Sequence, residues 1–184
     1  MNLPETIQKS LGYPKIHKVD PNTQDVAEEY KSFGNGALAQ AAIPSILCGI
    51  YKQMETEEGM SLLLESDSSN WLSAIFGEKK DDLVKRVAEY AAMATGLARV
   101  EMEHIADSAV GVIRSALTPT VIPAEVYAFV AKHTNETLLY LPAAVQLGAL
   151  FHHDNIDDRT NKMEGPVSNF LHKIERHFNS NVNK

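Results

Sequence analysis

The sequence contains only one cysteine, Cys48, and only one tryptophan, Trp71. A single cysteine excludes a disulfide bond within the chain and gives a weak preference for the cytoplasm as the compartment. Because Cys48 lies in an apolar run, we expect it to behave as a small buried hydrophobic residue and not as a nucleophile. We expect Trp71 in the core, because a lone tryptophan is more often a core residue than a platform for a stacked ligand.

Long apolar runs are also missing from the sequence. The longest apolar-rich stretch, Leu138 to Phe151, is too short to span a bilayer. The first residues, Met1 to Lys18, lack the apolar region that a signal peptide needs. The sequence therefore predicts a cytoplasmic protein with no membrane span.

Basic residues are outnumbered by acidic ones. The chain has 17 Lys and Arg against 24 Asp and Glu, which gives a formal net charge of -7. An acidic surface repels phosphate backbones and anionic membranes, and the sequence has no basic run interleaved with aromatic residues. We therefore expect no nucleic-acid partner.

The sequence does contain a helical apolar pattern along most of its length. Its 184 residues, of which 44% are hydrophobic, suffice for one domain with a sizeable core. Apolar residues recur at three- and four-residue steps between turn residues, as is typical of amphipathic helices. We therefore predict an all-α fold in which residues 1–184 form one domain, a compact multi-helix bundle built from helical hairpins. A short N-terminal arm helix, Pro4 to Leu11, and a C-terminal docking helix complete it.

The stretch from Asp81 to Leu117 is predicted to be a central hairpin whose two helices are joined at Gly96. Its first helix has one apolar stripe and its second has two adjacent stripes, so we expect the second helix to be buried over much of its girth. The first stripe consists of Leu83, Val84, Val87, Tyr90, Ala91 and Ala94, and the two later stripes are Ile105, Ala109, Val112, Ala116 and Ala106, Val110, Ile113, Leu117.

Further helices are predicted on both sides of this hairpin from apolar spacing, caps and turn residues. Proline inside two of them predicts a kink or a short break. They are Gln24 to Phe33, Ala37 to Met54 with Pro44 inside, a short helix around Trp71 and Phe76 closed by Gly77, Ala124 to Lys132, Glu136 to Phe151 with Pro142 inside, and a final helix with Val167, Phe170, Leu171, Ile174 and Phe178 in one stripe.

Three segments, 24–54, 83–117 and 124–151, share a degenerate internal repeat. Each has an amphipathic helix, a Gly or Asn break, and then a helix rich in small residues with a late glycine. The breaks are Gly36, Gly96 and Asn135, and the late glycines are Gly49, Gly111 and Gly148. The repeat predicts three hairpins with the late glycines turned inward. Under this prediction Gly111→Leu lowers the free energy of unfolding by about 1 to 3 kcal/mol, because the added side chain overpacks the contact. The alternative is that any all-helical chain reuses glycine turns.

A family resemblance comes from four groups of residues. They are the run 40–47 (QAAIPSIL), Glu57-Glu58-Gly59 followed by Leu62-Leu63-Leu64, Phe76-Gly77, and the run 109–113 (AVGVI). This pattern resembles the YidB-type family of bacterial proteins of unknown function over about residues 37–150. The resemblance implies an all-helical bacterial domain and supplies no catalytic residues. The chain departs from the family pattern at Ala106-Asp107, where the family often has Ala-Pro, and it lacks the family's glycine-rich tail.

Two groups of residues have the types that bind metal ions. Glu101 and His104 form one Glu-x-x-His, but a di-metal bundle needs this motif twice and two further inward glutamates. The solvated start of a helix explains the pair better. The loop from His152 to Asp158 holds two imidazoles and several carboxylates, which suit zinc or another transition metal. A polar loop after a buried helix is the alternative. His172 and His177 lie five residues apart and are not a natural ligand pair.

No phosphate-binding loop, nucleophile elbow or kinase set is present, so the sequence predicts neither catalytic residues nor a cofactor. The first prediction for function is a non-enzymatic helical domain that binds a protein partner or itself. The first alternative is a metal-dependent hydrolase or metal-binding protein that uses the His152 to Asp158 loop. The second alternative is a carrier of an apolar small ligand.

Overall fold

The structure is a computed structural model that describes residues 1–65, 67–68, 70–117 and 123–151. The described residues form helices joined by loops and contain no strand, which confirms the predicted all-α class. The predicted C-terminal docking helix lies outside the described residues. The helices are α1 (Leu3–Ser10), α2 (Asn35–Gln53), α3 (Glu57–Glu65), α4 (Trp71–Phe76), α5 (Lys80–Tyr90), α6 (Thr95–Ala116), α7 (Pro123–Leu138) and α8 (Leu147–Phe151).

Helix α2 is the centre of the fold. It packs against α1, α3, α4, α5, α6 and α7, and its residues from Gly36 to Leu47 are all buried. A helix that is apolar on all sides belongs inside a protein, and the alanine-rich sequence of α2 has this character. The helix continues without a break through Pro44, so the predicted break is absent there. The organising helix is therefore α2 and not the central hairpin that the sequence predicted.

Helix α6 is the longest helix among the described residues, and it is buried on one side only. The residues that face the core are Ala98, Met102, Ile105, Ala106, Ala109, Val110 and Ile113. Of the two predicted stripes, Val112 is only partly buried and Ala116 is exposed. The stripe of Ile105, Ala109, Val112 and Ala116 is therefore wrong at its end, because a small apolar side chain such as that of alanine is common on both faces of a helix.

The turn between α5 and α6 is not at Gly96. The Met93 N–H donates to the Ala88 carbonyl at 3.0 Å, and Ala92 between them has a positive φ of 51°. This is the Schellman ending of a helix, in which one left-handed residue reverses the chain. Gly96 lies in the first turn of α6, so the predicted break at Gly96 is wrong.

The predicted helix over residues 24–33 is also absent. This segment contains only a short 3₁₀ turn, Glu28–Tyr30. Its polar groups form hydrogen bonds with other parts of the fold. The Gln24 carbonyl accepts from the Ala143 N–H at 2.9 Å, and the Asp25 carboxylate accepts from the Tyr90 hydroxyl at 2.9 Å. Those tertiary bonds replace the helical ladder that the apolar spacing favoured.

The third predicted hairpin, over residues 124–151, is wrong in both halves. Helix α7 runs through the expected break at residues 133–135, where Thr134 donates to the Val130 carbonyl one turn earlier at 2.7 Å. It ends at Leu138, because Pro142 has no N–H to donate to the Leu138 carbonyl four residues earlier and disfavours helix in the residue before it. Since the first and third pairs are not hairpins, the structure does not contain the three-hairpin repeat.

Two other predicted helices agree with the structure. The N-terminal arm lies across the core with Leu3 and Ile7 fully buried. Helix α4 begins where Asn70 Oδ1 accepts from Ser73 N–H at 3.3 Å, and it ends at Gly77, whose φ is 55°.

The late glycines have different surroundings. Gly49 and Gly148 are buried, as predicted. Gly111 is exposed, and a Cβ atom built on it would meet none of the described residues within 4 Å. The prediction that Gly111 touches another helix is wrong.

Candidate functional site

One face of α6 stays exposed along almost its whole length. We call it the α6 face and define it by Leu97, Val100, His104, Asp107, Gly111 and Ser115, which are all exposed. Successive members are three or four residues apart, so they lie in one stripe along the helix. Leu97 is 61% and Val100 is 54% exposed, which is a large exposure for two apolar residues on adjacent turns.

The α6 face lies between two anchored neighbours. On one side, the Tyr13 hydroxyl donates to the Glu101 carboxylate, and the Ser10 and Ser108 hydroxyl oxygens are 3.1 Å apart. Burial and the Glu101 carboxylate raise the pKa of the Tyr13 hydroxyl. These contacts hold α1 and the segment after it against α6.

On the other side, α4 is bonded to α6 by two carboxylates. Glu103 accepts from the Leu72 N–H at 3.2 Å, and the Oδ1 atom of Asp107 accepts from the Trp71 indole N–H at 3.2 Å. Trp71 itself is buried in the core, as predicted, and its ring lies under the Arg114 guanidinium at 5.2 Å. These bonds also fix the position of Asp107 on the α6 face.

An open groove of about 590 Å³ adjoins the start of α6. Its lining includes Asp81, Lys85, Glu89 and Arg99, two acidic and two basic residues. Arg99 pairs with Asp81 at 2.8 Å and lowers the pKa of that carboxyl, and Lys85 pairs with Glu89 at 3.9 Å. Exposed pairs of this kind contribute little stability, so the groove is a polar surface rather than an enclosed ligand site.

A third exposed apolar side chain, Phe33, lies near the same end of the molecule. Phe33 is 83% exposed, and its neighbour Gly34 donates its N–H to the Ala91 carbonyl at 3.1 Å. That bond places Phe33 beside the turn between α5 and α6.

The residues that the sequence marked for metal chemistry do not form a site in the described part of the chain. Glu101 is engaged with Tyr13, and His104 is exposed on the α6 face. No cluster of three or more His, Cys, Asp or Glu side chains suited to a metal ion occurs among the described residues. The loop from His152 to Asp158, with His172 and His177, lies outside them.

Two buried polar groups were not predicted. His133 is buried against Phe129, and its Nδ1 atom has no hydrogen-bond partner within the described structure; the nearest carboxylate oxygen, from Glu136, is 3.7 Å away. Burial, together with the Lys132 charge, lowers the pKa of His133. The Tyr51 hydroxyl lies 3.2 Å from the Thr137 hydroxyl, and burial raises its pKa. His133 and Thr137 lie one turn apart on α7, and Tyr51 lies on α2, which packs against α7. These buried groups therefore belong to the core and do not form an open site.

Cys48 is half-buried on α2 and packs against the core. Among the described residues, no helix combines the length and hydropathy that crossing a membrane requires.

No family model, no curated protein and no solved structure matches this chain. The resemblance to the YidB-type family therefore stays a prediction. Within the described part of the chain, the α6 face exposes two large apolar side chains on adjacent turns of one helix.

Proposed function

We propose that this chain is a non-enzymatic helical domain that binds a protein partner, or a second copy of itself, through the α6 face. The supporting observation is the pair Leu97 and Val100, which are exposed on consecutive turns of an otherwise amphipathic helix. Exposed apolar residues grouped on one helix face are typical of protein–protein contacts.

Burial of the two side chains would supply a driving force for this binding. Each would contribute roughly 1.5 to 3 kcal/mol if it became fully buried from full exposure, and about half as much from its present state. The neighbouring groove adds charged groups of both signs, which suit the polar rim of an interface.

Photo-crosslinking tests this proposal. A benzophenone side chain at position 100 in the full chain, expressed in the organism of origin, should form an adduct with a protein that mass spectrometry identifies. The matched control is the same side chain at Ala128, an exposed position on α7. Equal adducts from both positions, adducts within the same chain, or none at all would contradict the proposal.

The two alternatives from the sequence have no support among the described residues. The metal-dependent alternative rests on the His152 to Asp158 loop and stays a prediction. Elemental analysis that found stoichiometric zinc or iron in the purified protein, lost in His153→Ala, would favour it over the proposal.

A further inference from the structure

The α6 face changes character in an ordered way along the helix. Its first part is large and apolar, with Leu97 and Val100. Its middle is polar, with His104 and Asp107. Its last part is small, with Gly111 and Ser115. The midpoint between Val100 and Gly111 along α6 lies between Ile105 and Ala106. The midpoint between His104 and Asp107 lies at the same place.

We propose that the α6 face binds the same face of a second copy of this chain, with the two α6 helices antiparallel about a two-fold axis at that midpoint. This inference rests on the proposed function and names its partner. A two-fold contact needs a surface that is complementary to itself. Antiparallel pairing sets Val100 against Gly111 of the second copy and His104 against Asp107 of the second copy, and symmetry repeats both contacts.

Charge complementarity supports a second copy as the occupant. The net charge of -7 opposes the association of two copies, so their contact has to lie where few carboxylates are present. On the α6 face the only ionisable residues are one imidazole and one carboxylate. The imidazole can donate an N–H to a carboxylate in either protonation state. The Trp71 bond at Oδ1 holds Asp107 in place for such a contact.

Size complementarity supports the antiparallel direction. A Cβ atom at Gly111 would meet nothing within 4 Å, so the helix backbone is open to close approach there. A side chain such as Val100 can fill that space, and small residues bring helix axes to the short end of the usual range of about 8 to 10 Å. A parallel pair would place Val100 against Val100 and Gly111 against Gly111, which leaves one end crowded and the other unfilled.

The contact is small, so the association should be weak. From Leu97 to Ser115 the face is about 27 Å long, and a single helix pair of this length buries less surface than a standard stable interface. We expect a monomer–dimer equilibrium that depends on concentration between about 1 and about 500 µM.

Sedimentation equilibrium of the full chain measures this equilibrium. Val100→Asp and Gly111→Leu should each raise the dissociation constant by at least about tenfold, with unchanged circular dichroism. His104→Glu, which sets two carboxylates against each other, should also raise it. The control Ala128→Leu adds the same side chain as Gly111→Leu on another helix and should leave the constant unchanged.

A disulfide experiment tests the register. In the double variant Val100→Cys with Gly111→Cys, oxidation should link position 100 of one copy to position 111 of the other, as mapped by mass spectrometry. Within one helix these positions are about 16 Å apart, which is too far for a disulfide. Either single variant should not dimerise through its new cysteine. Efficient dimerisation of Val100→Cys alone would overturn the antiparallel arrangement.

The outcomes separate this inference from the proposed function. If the chain is monomeric throughout and position 100 crosslinks to a different protein, the proposed function stands and the second copy is wrong. If a dimer forms that none of the α6 substitutions weakens, another surface mediates it and the inference is overturned. If neither a dimer nor any crosslink from position 100 is found, both the proposed function and the inference of a second copy are wrong.

Discussion

Helices α2 and α6 are the two long helices of the described structure, and each has a glycine in its later half. Six other helices surround α2, and Gly49 is buried there. Helix α6 covers the core with one side only, and Gly111 is exposed. The same residue type therefore has opposite roles, because its role depends on whether another element approaches that side of the helix.

The surroundings of Gly49 show what a fully enclosed helix requires. A Cβ atom at Gly49 would come within 2.4 Å of the Phe76 ring and 2.7 Å of the Ile75 side chain. Helix α4 can pack this closely only because residue 49 has no side chain. On α6 no neighbour in the described part of the chain imposes such a limit at Gly111, and the glycine instead leaves backbone exposed.

The largest effect is expected from a leucine at Gly49. Gly49→Leu should lower the free energy of unfolding by about 3 kcal/mol or more, because α4 must shift to admit the new side chain. Urea denaturation of the purified variant measures the change. The milder Gly49→Ala should lie between this variant and the wild type. A loss below about 0.5 kcal/mol would mean that α4 moves away easily and that α2 is less enclosed than described.

The contrast between the two helices also shows what the sequence could predict. The positions of α1, α2, α4, α5 and α6 follow from apolar spacing, caps and proline, and these local signals agree with the packing. The sequence also contained the signal for the central position of α2, because its apolar residues surround the helix instead of forming one stripe. The doubled stripe on α6 misled because it relied on residues such as Ala116, which is exposed.

The failed prediction of a helix over residues 24–33 depended on contacts distant in sequence. Residues 24–33 have helical spacing, but the bonds of Gln24 to Ala143 and of Asp25 to Tyr90 hold them in another conformation. No local pattern contains those partners. The α6 face had a usable signal, since Leu97 and Val100 lie three apart on the side away from the predicted stripes. The apolar stripes were assigned only to the buried side of the helix, so the exposed pair Leu97 and Val100 was not predicted.

A second and smaller effect concerns the helix ends that the glycine pattern was expected to mark. Helices α1 and α5 end in the same Schellman arrangement, with Gly12 at a φ of 69° and Ala92 at a φ of 51° in the left-handed position. Gly12→Ala should lower the free energy of unfolding by about 1 kcal/mol, and Ala92→Gly should raise it by a similar amount. Thermal and urea denaturation measure both variants.

The control for this pair is Gly96→Ala, in the first turn of α6, where no strained φ is present and the site is open. It should stabilise the protein by a few tenths of a kcal/mol up to about 1 kcal/mol through helix propensity. If Gly96→Ala instead destabilised the protein as Gly12→Ala does, the chain reversal would be at residue 96, as the sequence pattern first indicated.

A small stabilising effect is expected at Gly111, and it completes the comparison with Gly49. Gly111→Leu should raise the free energy of unfolding by roughly 0.5 to 1 kcal/mol, because leucine favours a helix over glycine and meets no neighbour at this exposed position. The measurement belongs at about 1 µM protein, where a weak dimer is dissociated. The same substitution should thus destabilise α2 strongly and stabilise α6 slightly. A loss of about 1 to 3 kcal/mol at Gly111 would show that another part of the molecule covers the α6 face, and it would remove the surface on which partner binding depends.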